Sequence, residues 1–280
     1  MSVNRGKTLI NLLIPSSLTE ESPDPRIRTY KVGQIARAAS IFRVDEIVIY
    51  KTKGLDDSKF ISTVLRYAEC PPYLRKKLFP MQDNLRFCGV IPPLRTPHHA
   101  VSDLLKNEEE YREGIVTKVG SDQSVWVDVG LDSPVLLKPP HGRQLHTGER
   151  ISVRIFSRRP ITVQLVDKRD IPLYWGYNVR IANTLHEELK DADGLRIATS
   201  RFGQMLDQAT LSEIKNKTRD KVHFIFGSPS KGVESVLHDE GHNIKDSSDY
   251  VVNSIPDQGA ATVRTEEAVY ITLGLFNLVW

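Results

Sequence analysis

Hydrophobic residues form two kinds of pattern in the first third of the chain. Residues 8–14 and 45–50 contain near-continuous apolar runs, which predict strands buried on both faces. Residues 32–41 and Ser58–Glu69 carry apolar side chains close to helical spacing, so both predict helices. A strand, a helix and a second strand of this kind are typical of a parallel sheet covered by helices on both faces. We therefore predict an α/β fold.

The pattern changes between residues 111 and 166, where short β-rich runs are separated by turn residues. A tendency to period-two spacing, without a helical pattern, predicts a small β-barrel that is OB-like or related to that fold. Helix and strand patterns resume afterwards, so residues 96–169 are expected to be a domain inserted between residues 1–95 and 170–280. The predicted barrel strands are residues 112–119, 124–129, 135–137, 150–156 and 162–166.

Three polar loops follow predicted strands in the last third of the chain. The strands are predicted at residues 195–199, 221–226 and Tyr250–Asn253, and the loops at their ends read SRFG, FGSPSKG and NSIPDQGAATVRT. In parallel sheets, ligands bind at the edge where the carboxyl ends of the strands meet. Backbone N–H and C=O groups stay accessible in loops of small residues, so the last of these loops is expected to hold a small molecule.

The chain closes with an apolar helix. Thr265 is the predicted N-cap, and Glu266 and Glu267 would lie in the first turn, where the helix dipole favours negative charge. Residues 268–280 are apolar on nearly every side, so we expect this helix to be buried all round, in a core or in a subunit interface.

The segment IPDQGAATVRTEEA, residues 255–268, resembles the last cofactor-binding motif of the SPOUT (α/β-knot) RNA methyltransferases. The whole chain resembles their archaeal and eukaryotic subfamily, in which an OB-like barrel is inserted into the knotted domain. Four further segments carry the resemblance in matching order, and together they span most of the chain. They are RIRTYKVGQIARAASIFRVDEIVIY, LRFCGVIPPLRTPHH, LRIATSRFG and FIFGSPSKGV.

The resemblance implies a C-terminal trefoil knot, S-adenosylmethionine as cofactor and a homodimer whose second subunit completes the site. Gly227, Gly232 and Gly259 would let the backbone approach the cofactor closely. The residues predicted to bind the cofactor are Ser200, Phe226, Gly227, Gly232, Asn253, Ile255, Pro256, Gln258, Gly259, Thr262, Val263 and Ala268.

The resemblance also suggests how the reaction proceeds. An arginine from the early part of the fold often reaches the target nucleotide in this family, and Arg28 lies in that part of the match. Arg28 and Arg264 are therefore the candidate catalytic residues, either of which would stabilise the anion of a deprotonated base, such as a uridine deprotonated at N3. Asp257, Glu266 and Glu267 are candidate bases, although the two glutamates would equally serve the helix dipole.

Positive charge is concentrated in the first third and the middle of the chain, whereas residues 171–280 are acidic, and the formal net charge is +3. This distribution favours a polyanion partner, and the resemblance implies RNA, from rRNA or tRNA. Trp126, in an alternating strand of the predicted barrel, either stacks on a base or belongs to the core. The residues predicted to contact RNA are Arg26, Arg75, Lys76, Arg95, Arg143, Arg154 and Arg158.

Other chemistries lack their motifs. No further Cys or His cluster completes a ligand set with His98 and His99, so no metal site is predicted. The loop 227–232 is flanked by glycines but is not followed by the lysine of a Walker motif. Cys70 and Cys88 are the only cysteines, and no apolar run reaches membrane-spanning length, so we expect a cytoplasmic protein without a membrane partner.

Two alternatives from other classes stay open at this point. A non-catalytic RNA-binding adaptor would keep the knotted fold and the basic surface but would not bind S-adenosylmethionine. An interaction scaffold would show no salt-dependent affinity for RNA.

Overall fold

The computed structural model describes residues 8–99, 110–122, 124–140, 142–158 and 160–279, with the backbone alone at Arg158. The described residues form two compact units. The first unit lies within Met1–Glu69, Asp83–Leu94 and Gly176–Trp280, and the second lies within Cys70–Gln82 and Arg95–Trp175.

The strands in chain order are β1 Leu9–Pro15, β2 Glu46–Tyr50, β3 Glu110–Val119, β4 Val125–Asp128, β5 Val135–Leu137, β6 Arg150–Arg158, β7 Ile161–Val166, β8 Asn178–Ala182, β9 Leu195–Met205, β10 Lys221–Ile225 and β11 Tyr250–Asn253. The α-helices are α1 Pro25–Ile41, α2 Ser58–Glu69, α3 Pro72–Leu78, α4 Leu185–Lys190, α5 Gln208–Lys217, α6 Val233–Asp239, α7 Ile244–Ser247 and α8 Thr265–Phe276.

The first unit is built on a parallel sheet in the order β11-β9-β10-β1-β2-β8. Successive residues of β1 point to opposite faces, so Leu12 and Leu13 enter different cores. The core around Leu12 includes apolar residues of α1, α2, α5 and α8, and the core around Leu13 includes those of α4, α6 and α7. The predicted α/β fold with a parallel sheet covered on both faces is confirmed.

Helix α1 begins earlier than the apolar spacing predicted. Asp24 is its N-cap and accepts a hydrogen bond from the backbone N–H of Arg26 at 2.7 Å, and Pro25 occupies the first helical turn. Proline is favoured there because its missing N–H would be unpaired anyway. The predicted helix began only at residue 32, so Arg26 and Arg28 were expected in the loop before it. That expectation was wrong, because both lie in the first turns of α1.

Strand β9 is longer than predicted because it leaves the sheet and returns. Ala198 pairs with Val251 of β11, and Gln204 pairs with the next residue, Val252, so residues 199–203 form a large bulge. A Cβ at Gly203 would lie 2.7 Å from the carbonyl oxygen of Val251, so glycine is required where the bulge rejoins the sheet. We call residues 199–203 the β9 bulge.

Helix α8 differs from its prediction at both ends. Arg264, not Thr265, is the N-cap, and its N–H donates to the Glu267 carboxylate at 2.9 Å. The helix ends at Phe276, and Trp280 lies outside the described residues. Ile271 is exposed and Leu278, just past the helix, is 78% exposed, so the segment is not buried all round within one chain. The predicted homodimer stays a prediction.

The second unit contains an antiparallel sheet in the order β5-β4-β3-β6-β7. Its edge strands β5 and β7 contact each other, so the sheet curls into a near-barrel around a valine-rich core. Five strands lie close to their predicted positions. Trp126 is 40% exposed, so its interpretation as a core residue was wrong.

Helix α3 belongs to the second unit, although residues 70–82 were predicted in the first domain. Leu74 packs with Cys70 and Ile115. The hydroxyl of Tyr73 donates to the carbonyl oxygen of Glu113 at 2.9 Å. The RNA-binding role of the insert and the trefoil knot stay predictions. In the described part of the chain, no helix combines the length and the apolar character that crossing a bilayer requires.

Candidate functional site

Three segments at the carboxyl ends of neighbouring strands enclose one cavity of about 500 Å³. They are the β9 bulge, the loop after β10 and the loop after β11, and the first turn of α8 closes the site. The lining residues are Thr199, Ser200, Arg201, Phe202, Phe226, Gly227, Ser228, Pro229, Ser230, Gly232, Glu234, Ser235, Val252, Asn253, Ser254, Ile255, Gln258, Ala261, Thr262, Val263, Thr265 and Ala268.

The loop after β10 is held in a tight turn. The N–H of Ser228 donates to the carbonyl oxygen of Lys231 at 2.8 Å. A Cβ at Gly227 would lie 2.7 Å from that same oxygen, so this turn requires glycine. The hydroxyl of Thr265 donates to the carbonyl oxygen of Gly227 at 2.8 Å and fastens the turn to α8.

Asn253 joins the other two segments. Its side-chain N–H donates to the carbonyl oxygen of Arg201 at 2.9 Å, and its Oδ1 accepts from the N–H of Ile255 at 2.9 Å. One amide side chain therefore fixes the β9 bulge against the start of the loop after β11. Ser254 and Thr272 pair through their hydroxyls at 2.8 Å and fix that loop to α8.

Ten of the twelve predicted cofactor residues line this cavity, and Pro256 and Gly259 do not. A Cβ at Gly232 would meet no heavy atom within 4 Å, and the same holds at Gly259. The residues that line it are Ser200, Phe226, Gly227, Gly232, Asn253, Ile255, Gln258, Thr262, Val263 and Ala268.

Sequence reasoning missed Glu20, in the polar loop after β1. Its Oε1 accepts from the hydroxyl of Ser228 at 2.8 Å and from the N–H of Ser230 at 3.2 Å. The Glu20 carboxylate therefore fixes the loop after β10, which lines the cavity, to the loop after β1. No local pattern signals this contact, because it joins residues more than 200 positions apart.

The two arginines predicted to be catalytic have different surroundings. Arg28 forms an ion pair with Asp57, donates from Nε to the hydroxyl of Thr19 at 3.2 Å and lies over the ring of Phe60. Arg264 follows the cavity residue Val263. Its side chain is 61% exposed, and its Nε lies 3.6 Å from Oε1 of Glu21 in an ion pair. Both arginines are therefore ion-paired, but the pair of Arg28 with Asp57 is closer and more buried than the pair of Arg264 with Glu21.

A buried lysine connects the loop after β1 with α8. Lys31 is 3% exposed, and its ammonium lies 2.5 Å from a Glu21 oxygen and 3.9 Å from Oε2 of Glu266. Burial raises the pKa of the Glu266 carboxyl, and Lys31 opposes that rise. We call these three side chains the Lys31 cluster.

The residues predicted to bind RNA lie in both units. In the first unit, the guanidinium of Arg26 lies 5.4 Å from the ring centroid of Phe87. In the second unit, Lys76 and Arg95 are exposed, and Arg143 pairs with Glu149 at 3.0 Å.

Arg75 and Arg154 are less exposed than Lys76 and Arg95. Arg75 donates to the carbonyl oxygen of Cys70 at 3.0 Å, and Arg154 is half-buried. The side chain of Arg158 lies outside the described residues. All seven RNA contacts stay predictions. Among the residues that the structure describes, no group of three His, Cys, Asp or Glu side chains is arranged to hold a metal ion.

A family model described as "Putative RNA methyltransferase" matches residues 9–276. The match covers both units, including the three segments that enclose the cavity. The chain therefore belongs to this family of RNA methyltransferases. The resemblance to a family of RNA methyltransferases is confirmed.

Named relatives match along nearly the whole chain. An uncharacterized protein of Halobacterium salinarum is 41% identical over 96% of this chain and 98% of its own length. The 28S rRNA (uridine-N(3))-methyltransferases of Mus musculus and Homo sapiens are each 33% identical over 96% of this chain, which covers 76% and 78% of their lengths. A solved structure of a TrmH-family RNA methyltransferase from Porphyromonas gingivalis aligns with 96% of this chain and 59% of its own, at 11% identity and a TM-score of 0.40, a likeness too weak to support a functional inference.

Proposed function

We propose that this protein transfers the methyl group of S-adenosylmethionine to N3 of a uridine in ribosomal RNA. The observation that carries the proposal is the single cavity at the ends of β9, β10 and β11, which gathers ten of the residues predicted to bind the cofactor. Relatives that are 33% identical over 96% of this chain are named as uridine-N(3) methyltransferases of rRNA, which supports the choice of base and RNA.

The lining of the cavity fits S-adenosylmethionine. Its volume lies within the range of about 300 to 1,000 Å³ that is usual for small-molecule sites. Phe226, Ile255 and Val263 offer apolar surface for an adenine ring, while Gln258 and Thr262 offer polar groups. Free space beside Gly232 leaves the backbone accessible at the N-terminal end of α6.

S-adenosylmethionine, when bound, supplies an electrophilic methyl group on a sulfonium. The task of the chain is to hold the acceptor in line and to favour loss of the proton from uridine N3. A cation beside the base stabilises the resulting anion, and we assign this role to Arg264 rather than Arg28. Arg264 lies next to the cavity, is largely exposed and has only the longer ion pair with Glu21, at 3.6 Å, whereas Arg28 is held more closely by Asp57.

The remaining parts of the proposal come from the family. The loops around the cavity form the trefoil knot, a second copy of the chain completes the site, and the near-barrel of the second unit grips RNA. Its antiparallel sheet exposes Trp126, which offers a ring for stacking on a base.

Calorimetry with S-adenosylmethionine tests the cofactor site. Gly232→Leu places a side chain where no atom now lies, and the backbone φ of −66° at this position accepts any residue, so the variant should fold and lose binding. The matched control is Gly89→Leu, since Gly89 also has free space beside it and lies outside the cavity. Wild-type protein that is folded but binds no cofactor would refute the proposal and favour the RNA-binding adaptor.

The position of methylation is tested separately. Unmethylated large-subunit rRNA is incubated with the protein and S-adenosylmethionine. The RNA is then digested to nucleosides, which are separated and identified by mass spectrometry. We expect 3-methyluridine. Methylation of another atom would keep the cofactor site and overturn the assignment of N3.

A further inference from the structure

Phe202 is an exposed aromatic residue at the mouth of the cavity. It is 78% exposed, although it also lines the cavity, and it belongs to the β9 bulge. An aromatic ring left in water forgoes the stabilisation that burial would give. A ring in this position is therefore expected to have a partner that arrives with the substrate.

The bulge holds the ring in place at several points. The N–H of Phe202 donates to the hydroxyl of Ser200 at 3.2 Å. The carbonyl oxygen of Arg201 accepts from Asn253, and a guanidinium nitrogen of Arg201 donates to the carbonyl oxygen of Ala261 at 3.4 Å. Gly203 then returns the strand to the sheet against β11. Large bulges beside active sites serve to re-aim side chains, and this one aims a phenyl ring outward.

Arg201 covers part of the ring. Its guanidinium carbon lies 4.6 Å from the ring centroid of Phe202, a cation–π contact. The exposed fraction shows that most of the ring surface remains open. The result is a flat apolar surface with a positive charge beside it, which matches a nucleotide, because a base has a π face and carries a phosphate.

We propose that Phe202 is the platform on which the target uridine stacks when it enters the site. This inference rests on the proposed function, because it names the residue that positions the acceptor. Reacting atoms must approach to about 3 to 3.5 Å. Because Phe202 lines the proposed cofactor cavity, a base stacked on its ring would be held next to the methyl donor. A uridine within paired RNA must leave its stack first, and the ring compensates for part of the lost stacking.

Two substitutions test the platform by kinetics. Phe202→Ala is expected to lower kcat/KM for methylation of RNA about 10- to 100-fold, through a higher KM, since loss of one base–aromatic stack has effects of this size. Phe202→Trp keeps a stacking face and should retain most of the activity. Met205→Ala is the matched control, because Met205 is an exposed apolar residue of the same strand outside the bulge.

Photo-crosslinking tests the contact directly. A single-stranded RNA with one 5-iodouridine is irradiated with the wild-type protein, and the crosslinked peptide is identified by mass spectrometry. We expect the peptide that contains Phe202. A crosslink confined to other segments, or an unchanged KM in Phe202→Ala, would overturn the proposal.

Other outcomes assign the ring to a different partner. A loss of S-adenosylmethionine affinity in Phe202→Ala would show that the ring belongs to the cofactor site. A lower mass of Phe202→Ala than of the wild-type protein in solution would show that the ring contacts a second copy of the chain. If the wild type binds no cofactor yet crosslinks through Phe202, the proposed function fails while the RNA contact stands, so the two failures are distinguishable.

Discussion

The hydroxyl of Thr265 donates a hydrogen bond to the backbone carbonyl oxygen of Gly227 across 2.8 Å. This bond joins the first turn of α8 to the loop after β10, so it fixes the distance between two walls of the cavity. Thr265→Val removes the donor but keeps the shape of the side chain. We expect the free energy of unfolding to fall by about 0.5 to 1.5 kcal/mol and S-adenosylmethionine affinity to fall several-fold.

Thr218→Val is the control for this prediction. The hydroxyl of Thr218 also donates to a backbone carbonyl, that of Ile214, at 2.8 Å, but it lies at the end of α5, away from the cavity. Denaturant unfolding should show similar losses for both variants, and calorimetry should show weaker binding for Thr265→Val alone. Equal affinities would mean that the bond does not position the cavity walls.

Arg264 is predicted to act through its charge. Arg264→Gln should lower kcat about 100-fold, the lower end of the range for removing a group that stabilises developing charge. The pH dependence gives the sharper readout. Without the cation the uridine anion forms less readily, so the midpoint of the pH–rate profile should move to higher pH.

Arg264→Lys keeps a positive charge and should restore much of the lost rate. Arg28→Gln should leave the midpoint in place, because Arg28 is paired with Asp57. If the midpoint of the pH–rate profile moves in Arg28→Gln but not in Arg264→Gln, Arg28 and not Arg264 stabilises the uridine anion.

The Lys31 cluster should respond strongly to loss of its cation. Lys31→Met leaves the buried Glu266 without its lysine, and removing one partner of a buried pair costs about 3 to 5 kcal/mol of unfolding free energy near neutral pH. Burial already raises the pKa of Glu266, so the folded state holds its proton at a pH where the unfolded state has released it. The penalty is therefore largest above the folded pKa and disappears as the pH falls below the unfolded value.

A double-mutant cycle measures the coupling. Lys31→Met combined with Glu266→Gln should recover part of the lost stability at neutral pH, as followed by urea unfolding. If the two losses simply add, Lys31 acts through Glu21 and not through Glu266.

His223 is expected to make the free energy of unfolding depend on pH in the acid range. It is buried in β10, its Nε2 donates to the carbonyl oxygen of Asp193 at 2.7 Å, and burial lowers the pKa of its ring. As the pH falls through about 6.5, His223 binds a proton in the unfolded chain but stays neutral in the folded chain. The free energy of unfolding therefore falls by up to about 1.4 kcal/mol per pH unit.

Urea unfolding at a series of pH values tests this slope. His223→Gln should flatten it below pH ~6.5, even if lost packing lowers stability at every pH. His146→Gln removes an exposed histidine and should leave the slope unchanged. A wild-type slope that survives in His223→Gln would assign the acid sensitivity to other groups.

Neighbouring lysines of α3 give a matched test of RNA binding. Lys76 is exposed, whereas Lys77 forms an ion pair with Asp128. Lys76→Ala should weaken RNA binding and reduce the slope of log affinity against log salt by about 1, the effect of one lost phosphate contact. Lys77→Ala should have a smaller effect, because its charge is already balanced. Equal effects of both would argue against a specific contact at Lys76.

Much of the fold could be predicted because its elements carry strong local patterns. Helix α2, strand β5 and strand β11 have the predicted bounds, since their apolar spacing and flanking turn residues agree. The start of α1 had a local signal too. Asp24 followed by Pro25 is a typical N-cap and first turn, but the apolar spacing begins only at Val32.

The site was predictable only where a segment carries its own motif. The loop after β11 was found from the resemblance of its residues. The SRFG segment in β9 was found in the same way, but its bulged conformation was not predicted, because it depends on which residues of β9 pair with Val251 and Val252. The contact of Glu20 with Ser228 depends on pairing of β1 with β10, which no local spacing encodes.

The position of β1 between β10 and β2 has a consequence for the making of the protein. Synthesis runs from the N-terminus, so the first strand waits for residues beyond 220 before its second neighbour exists. The cavity walls after β10 and β11 come later still, and the last of them, the first turn of α8, starts at Thr265. A chain that is stalled or cut before this residue lacks the part of the cavity lining that α8 supplies. Binding of the proposed methyl donor would therefore report that the C-terminal helix has been made and has docked.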